Sequence, residues 1–384
     1  MSITQIPFGK LPCGRDATLY ILRNSKGFCA SVSDFGATLV SILAPDRTGR
    51  LTDVLCGFES ADVYARADGY LGATVGRFCN RIARGRFELD GAVYDTLYIN
   101  DGGNHLHGGK VGFSHRLWSL DGMVDGEEPA LTLRLRSPDG EEGYPGNLNV
   151  AVTFSVSADN ALSVHYIAET DKATPINLTN HAYFNLGGFA SGDVLDQVLW
   201  LDAESYLRGD AGLVPTGEVV PVAGTPFDFR HPKPIGRDFH AEDNDLRLAG
   251  GYDHCFNFTG WERGDHRLLL RGSLYDPHSG RKLELLTDFV RSCCEDNLGN
   301  LWIGTFHGLN RYDKTTGQVQ LYTANFLKNP AFPLRGGYPQ QTQHAVCLET
   351  QKMPDSPNHP EFTDSILRPG EIFDYTTVFR FSAE

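Results

Sequence analysis

Apolar and polar residues alternate with a period of two along most of this chain. The clearest runs are Thr18 to Leu22, Ala37 to Leu43, Arg86 to Leu89, Leu131 to Leu135, Val150 to Val156, Leu162 to Ala168, Arg267 to Leu274, Lys282 to Leu286 and Tyr375 to Phe381. β-Branched and aromatic side chains crowd these runs. Asp90-Gly91, Asp139-Gly140, Asp159-Asn160 and Ser279-Gly280 punctuate them. That combination predicts antiparallel strands joined by tight turns. Helical periodicity is scarce, and Ser60 to Tyr64 is expected to form only a turn or two, opened by a Ser60 cap. No Pro/Ser-rich linker interrupts the chain. The expectation is an all-β protein: a large antiparallel β-sandwich, one domain over residues 1–384, with functional residues on loops and strand ends.

The 384 residues are 41% hydrophobic, enough for a sizeable core. The 34 basic and 48 acidic side chains give a formal charge of −14. Such a field disfavours nucleic acid and anionic membranes as partners and suits an enzyme acting on a neutral substrate. No stretch approaches 18 uninterrupted apolar residues, so no membrane span is expected. The first residues show no basic segment followed by an apolar one, as a secretory leader would. Eight cysteines, at positions 13, 29, 56, 79, 255, 293, 294 and 347, form no CxxC pair. Free thiols in a reducing cytoplasm are the expectation.

Residues 289–317, FVRSCCEDNLGNLWIGTFHGLNRYDKTTG, have a different texture. Gly299-Asn300-Leu301-Trp302-Ile303-Gly304-Thr305, Gly308-Leu309 and Arg311-Tyr312-Asp313 make this segment resemble a single propeller repeat of two-component regulators. One such repeat cannot bury its own apolar faces. An inserted hairpin packed on the host domain or on another subunit is therefore expected, and not a propeller.

The candidate chemistry lies in five polar motifs: Gly76 to Ile82, His105 to Gly109, Asn177 to Asn185, Gly251 to His254 and Cys347 to Gln351. Arg81, beside Asn80, offers a planar fork of donors suited to neighbouring hydroxyls, or to a surface ion pair. His107 precedes two glycines, where backbone can approach a ligand closely. His105 and His107 together could hold a metal, but no carboxylate or cysteine stands at coordinating spacing, so none is expected. His181 lies in a polar-aromatic segment and can serve as a general acid. Tyr183 and Phe184 beside it can pack a sugar's apolar face or fill the core. Asp253 can accept from hydroxyls or cap a turn. Glu349, expected at a strand's end facing a cleft, is a candidate base whose pKa partial burial would raise.

Taken together, Asn80-Arg81-Ile82, His107-Gly108-Gly109, Asn180-His181-x-Tyr183-Phe184-Asn185, Tyr252-Asp253-His254, Gln320-x-Tyr322-Thr323-x-Asn325-Phe326 and Leu348-Glu349-Thr350-Gln351 resemble the aldose 1-epimerase (galactose mutarotase) family in order and spacing. The resemblance runs from about Leu19 to Phe381 and is broken by the segment 289–317, which stands where the family has a short turn. It implies a β-supersandwich, no cofactor, and interconversion of the α and β anomers of hexoses such as galactose and glucose. Carried over, Glu349 is the general base and His181 the general acid. Asn80, Arg81, His107, Asp253, Gln320 and Tyr183 are substrate-binding, and no residue is a metal ligand. A cytoplasmic monomer or weak dimer acting on a small aldose is expected.

Three rivals remain at this point. A hexose-phosphate epimerase would need extra basic residues for a dianion, beyond Arg77, Arg81 and Arg84. A non-catalytic sugar-binding or sensing module would need no matched acid and base. A glycosidase would need two carboxylates about the scissile bond, where only Glu349 stands in a recognisable motif.

Overall fold

A computed structural model describes residues 2–258, 268–287, 318–325, 327, 329–362 and 364–384, together with the backbone of strands Arg291–Glu295 and Leu301–Trp302. The chain is built almost wholly of antiparallel strands, as the alternation predicts. Along Leu148–Val156, Leu148, Val150, Val152, Phe154 and Val156 are all fully buried while the intervening residues are not. Ala130–Ser137 pairs with it on one side and Ala161–Thr170 on the other. The long strand Glu371–Ala383 then joins Ala161–Thr170 to Arg281–Thr287. Among the described residues this largest sheet has 11 strands. Each Val or Leu it buries contributes about 1.5–3 kcal/mol, which fixes the register because a one-residue slip would turn the row outward.

Two five-stranded sheets pack against it. The first runs in chain order from Ile3–Lys10 to Leu51–Asp53. The second places Asp253–Phe258, Gln318–Tyr322 and Cys347–Gln351 side by side. A single apolar core joins all three: Leu22, Val32 and Ile42 from the first, Val152, Phe379 and Phe381 from the large sheet, and Phe256, Val319, Leu321 and Leu348 from the second. Phe28 meets Phe381 across the layers at 5.4 Å between ring centroids.

The short helix Ala61–Arg66 stands where a turn or two was expected. Ser60 occupies its N-cap, but its side chain makes no capping hydrogen bond. The segment 289–317 lies outside the described residues apart from two backbone strands. Arg291–Glu295 pairs with Glu371–Asp374 and with Leu301–Trp302.

Candidate active site

The second five-stranded sheet is the floor of the site, and its two faces differ in kind. Antiparallel register sets Cys255 opposite Gln320 opposite Glu349, and Asp253 opposite Tyr322 opposite Cys347. Side chains alternate along a strand, so these six project from one face, while Phe256, Val319, Leu321 and Leu348 project from the other into the core. A dense apolar core on one side thus fixes the polar row on the other. Glu349 lies in the middle of Cys347–Gln351 and not at the strand end expected for it. It is 2% exposed.

His181 follows the two-residue strand Thr179–Asn180, which pairs with Thr74–Val75. Its backbone N–H donates to the Ala73 carbonyl at 2.9 Å and its carbonyl accepts from the Gly72 N–H at 2.8 Å. Its ring is caged by aromatics. Tyr183 stacks on it at 4.9 Å and 17°, Tyr70 at 6.1 Å and 23°, and Tyr322 meets it edge-on at 6.2 Å. His181 Nε2 lies 3.5 Å from Glu349 Oε1. Among the described residues, His181 Nδ1 and Glu349 Oε2 are buried without a hydrogen-bond partner.

The second wall comes from the loops around residues 80 and 107. Asn80 (φ 65°) and His107 (φ 51°) are both left-handed. They lock together: the Asn80 N–H donates to His107 Nδ1 at 3.1 Å, and the His107 N–H donates to the Asn80 carbonyl at 3.2 Å. Nδ1 as an acceptor leaves the ring proton on Nε2, so neutral His107 can donate. Gly108 is obligatory beside it, since its φ is 84° and a Cβ there would collide with the Gly76 carbonyl. The strand pair Arg81–Ile82 and His105–Leu106 carries Arg81 to the cleft, where its Nε donates to Asp101 Oδ2 at 2.7 Å. Gln320 Nε2 donates to Asp253 Oδ1 at 2.6 Å. Asn80, Arg81, Asp253 and Gln320 line a cleft together with Leu207, Leu213 and Leu248.

Burial sets the proton inventory. It drives the Glu349 carboxyl well above its usual range, helped by the charge of Asp253 and opposed by Arg81. It lowers His181 to about 4, and His107 well below its normal value, with His181 and Arg81 adding to the effect. Asp253 is raised by burial, against Arg81 and the Gln320 amide.

The structure therefore brings His181 and Glu349 together, with His107, Arg81, Asp253 and Gln320 around them. Tyr183, expected to bind substrate, sits behind His181 with its hydroxyl committed to the Gly69 carbonyl at 2.8 Å, because the buried phenol must satisfy its O–H. His105 and His107 are not a pair of ligands: His105 contacts Tyr144 Oη at 2.6 Å and the Tyr98 carbonyl at 2.7 Å, which occupies both ring nitrogens. A different trio, His181, Cys347 and Glu349, offers ligand atoms within 4.8 Å of one another. Sequence reasoning also passed over Tyr70, whose ring lies 4.7 Å from His107, and Asp101. The flanking pairs Gly69/Gly72 and Gly102/Gly103 are the one local signal for each.

A β-sandwich with a buried imidazole–carboxyl pair beside a polar cleft is thus the class that fold and site define. The sequence model of the family Aldose 1-epimerase matches residues 18–290 and 311–380, and that of the two component regulator propeller matches residues 284–307. Human galactose mutarotase is 38% identical over 382 residues, 99% of each chain. The aldose 1-epimerase of Escherichia coli K12 is 36% identical over 375 residues, 97% of each. Among solved structures, an aldose epimerase homologue from C. elegans superposes with a TM-score of 0.80 at 27% identity, covering 96% of this chain and 99% of that one. Galactose 1-epimerase from Lactobacillus acidophilus gives 0.79 at 26%, covering 99% and 98%. The chain belongs to the aldose 1-epimerase family.

Proposed function

We propose that this protein is an aldose 1-epimerase, an isomerase that interconverts the α and β anomers of free hexoses such as galactose and glucose through acid/base ring opening. One observation carries the reading: an imidazole and a carboxyl group 3.5 Å apart, each with an unpartnered polar atom among the described residues. Glu349 takes the proton of the anomeric hydroxyl while His181 protonates the ring oxygen. The C1–O5 bond breaks, the C1–C2 bond turns, and the two groups run the same steps backwards on the other face of the aldehyde. Each supplies about 10²–10⁴-fold in rate.

The closed ring pairs with carboxylate and imidazolium; the open chain pairs with carboxylic acid and neutral imidazole. Both states of the pair carry one proton. Burial opposes the two separated charges, as the opposite shifts of Glu349 and His181 indicate. It therefore favours the neutral pair, so opening starts from the minor carboxylate–imidazolium form, which the charge of Arg81 helps to hold against burial. Arg81, His107, Asp253 and Gln320 are assigned to the sugar hydroxyls and the developing charge, and Asn80 to framing His107 and Arg81. No step needs a metal or an organic cofactor.

The phosphate rival loses support because Arg77 is 2% exposed and its guanidinium is spent on protein oxygens. A glycosidase has two carboxylates available on this face, Asp253 and Glu349, so hydrolysis of an aryl galactoside is the control that separates it. No helix among the described residues is long and apolar enough to cross a membrane. We read the chain as a cytoplasmic monomer or weak dimer with no nucleic-acid partner, and as one domain interrupted at 289–317, where the family match breaks. Polarimetry of freshly dissolved α-D-galactose and α-D-glucose tests the activity. Faster equilibration is expected, and sugar binding without acceleration would favour a sensor.

A further inference from the structure

Cys347 stands two residues before Glu349 on one strand, so its thiol shares the carboxyl's face. One ligand atom each from His181, Cys347 and Glu349 lies within 4.8 Å of the other two, and all three residues are buried. The reaction above gives the imidazole and the carboxyl their tasks and gives the thiol none. Among the described residues, Glu349 Oε2 and His181 Nδ1 have no hydrogen-bond partner. One imidazole nitrogen and one carboxyl oxygen of the trio thus lie buried without a protein partner. Nitrogen, thiolate sulfur and carboxylate oxygen form the borderline-soft set that Zn²⁺ takes at about 2.0–2.3 Å in tetrahedral geometry. Closing such a tetrahedron draws donors at the observed limit together by roughly 1 Å, within the reach of side-chain rotation.

We propose that His181, Cys347 and Glu349 form a three-ligand site for a zinc-class divalent cation, and that its occupation switches the acid/base pair off. On binding, the metal takes an imidazole lone pair and displaces the thiol proton, and any carboxyl proton, to solvent. Cation and sugar exclude one another because both need Glu349 and His181. Mg²⁺, which demands an octahedral oxygen shell, is not a ligand of this site. The inhibitory consequence rests on the acid/base reading; the metal site does not.

Co²⁺, a spectroscopic stand-in for Zn²⁺, tests it on the whole chain. A thiolate-to-cobalt charge-transfer band in the near ultraviolet is expected, displaced by Zn²⁺ and suppressed by saturating galactose. Cys347→Ser should lose the band, keep the basal polarimetric rate, and need at least ten-fold more Zn²⁺ for half inhibition. Cys13→Ser, which alters an exposed thiol, should change neither. No thiolate band in the unaltered protein, or one that survives Cys347→Ser, overturns the proposal. Should Cys347→Ser fail to fold, the unaltered chain decides: a band indifferent to saturating galactose also overturns it. A protein inactive in polarimetry would refute the acid/base reading, while the cobalt band would still report on the metal site.

Discussion

Arg77 and Glu349 are both buried charged-type side chains, yet their surroundings answer burial in opposite ways. Arg77 Nη1 donates to the carbonyls of Pro145 and Gly146 and to Thr174 Oγ1 at 2.8–3.0 Å, and Nη2 donates to the Ser137 carbonyl and hydroxyl at 3.1 and 2.6 Å. His105 next door is likewise held at both ring nitrogens. That cluster is nearly closed: of the Arg77 guanidinium nitrogens Nε alone lacks an acceptor among the described residues, and the result ties the segments around 77, 105, 137 and 145 into one frame. The Glu349–His181 floor is open. Its two groups stand 3.5 Å apart, and each keeps a polar atom without a partner among the described residues. A protein that satisfies one buried cluster and leaves its neighbour unsatisfied has put stability in the first and chemistry in the second.

Glu349→Gln is the sharpest way to break that division. It should lower kcat by about 10²–10⁴-fold with sugar affinity and thermal stability nearly unchanged, since the amide keeps the shape and the buried site favours an uncharged group. Polarimetry, calorimetric titration with galactose and a thermal scan check this. A variant that loses stability and activity in proportion would show Glu349 to be frame. The converse is Arg77→Met, which leaves buried carbonyls without donors and should cost about 3 kcal/mol in urea unfolding, while the folded fraction keeps its kcat. A lost kcat at full stability would move Arg77 into the site and revive a phosphate-binding reading.

The pH profile tests the coupling within the open cluster. Turnover needs one proton on the pair. His181 is lowered to about 4, so below that pH the pair gains a second proton and kcat/KM falls. Glu349 is raised well above the ordinary carboxylate range, so the alkaline limb, where the last proton leaves, lies far above 4.5. The two limbs belong to the pair. Asp253 is one cause of the raised value. Asp253→Asn should therefore shift the alkaline limb to lower pH and raise KM by roughly ten-fold for one lost charged contact. An unmoved limb would separate Asp253 from Glu349 electrostatically.

The contrast between frame and floor also decides what the sequence could reveal. Leu148–Val156 and Ala161–Thr170 bury every second side chain, so the large sheet was legible from alternation alone. The floor alternates too, but its polar face is buried: Gln318–Tyr322 and Cys347–Gln351 are buried at every position. Pattern alone reads Gln320 or Glu349 as solvent-facing, and places Glu349 at a strand end instead of mid-strand. Local sequence offered Glu349 and His181 as candidates, and the family resemblance, not periodicity, paired them as base and acid. It did not reveal that Cys347 reaches them or that Tyr70 leans on His107, because both depend on how distant segments meet.

Tyr183→Phe probes the boundary itself and should have the smallest effect. Tyr183 stacks on His181 with its ring and donates to the Gly69 carbonyl with its hydroxyl. Removing the hydroxyl keeps the stack, leaves the Gly69 carbonyl unsatisfied and loosens the loop that carries Tyr70. The expected cost is about 1 kcal/mol of stability, with kcat reduced less than ten-fold, because the imidazole stays caged and its low pKa comes from burial. The acid limb of the pH profile should stay near 4. A hundredfold loss of kcat at unchanged stability would mean that the phenol touches the sugar after all, and the line between the supporting cage and the reacting pair would have to be redrawn through Tyr183.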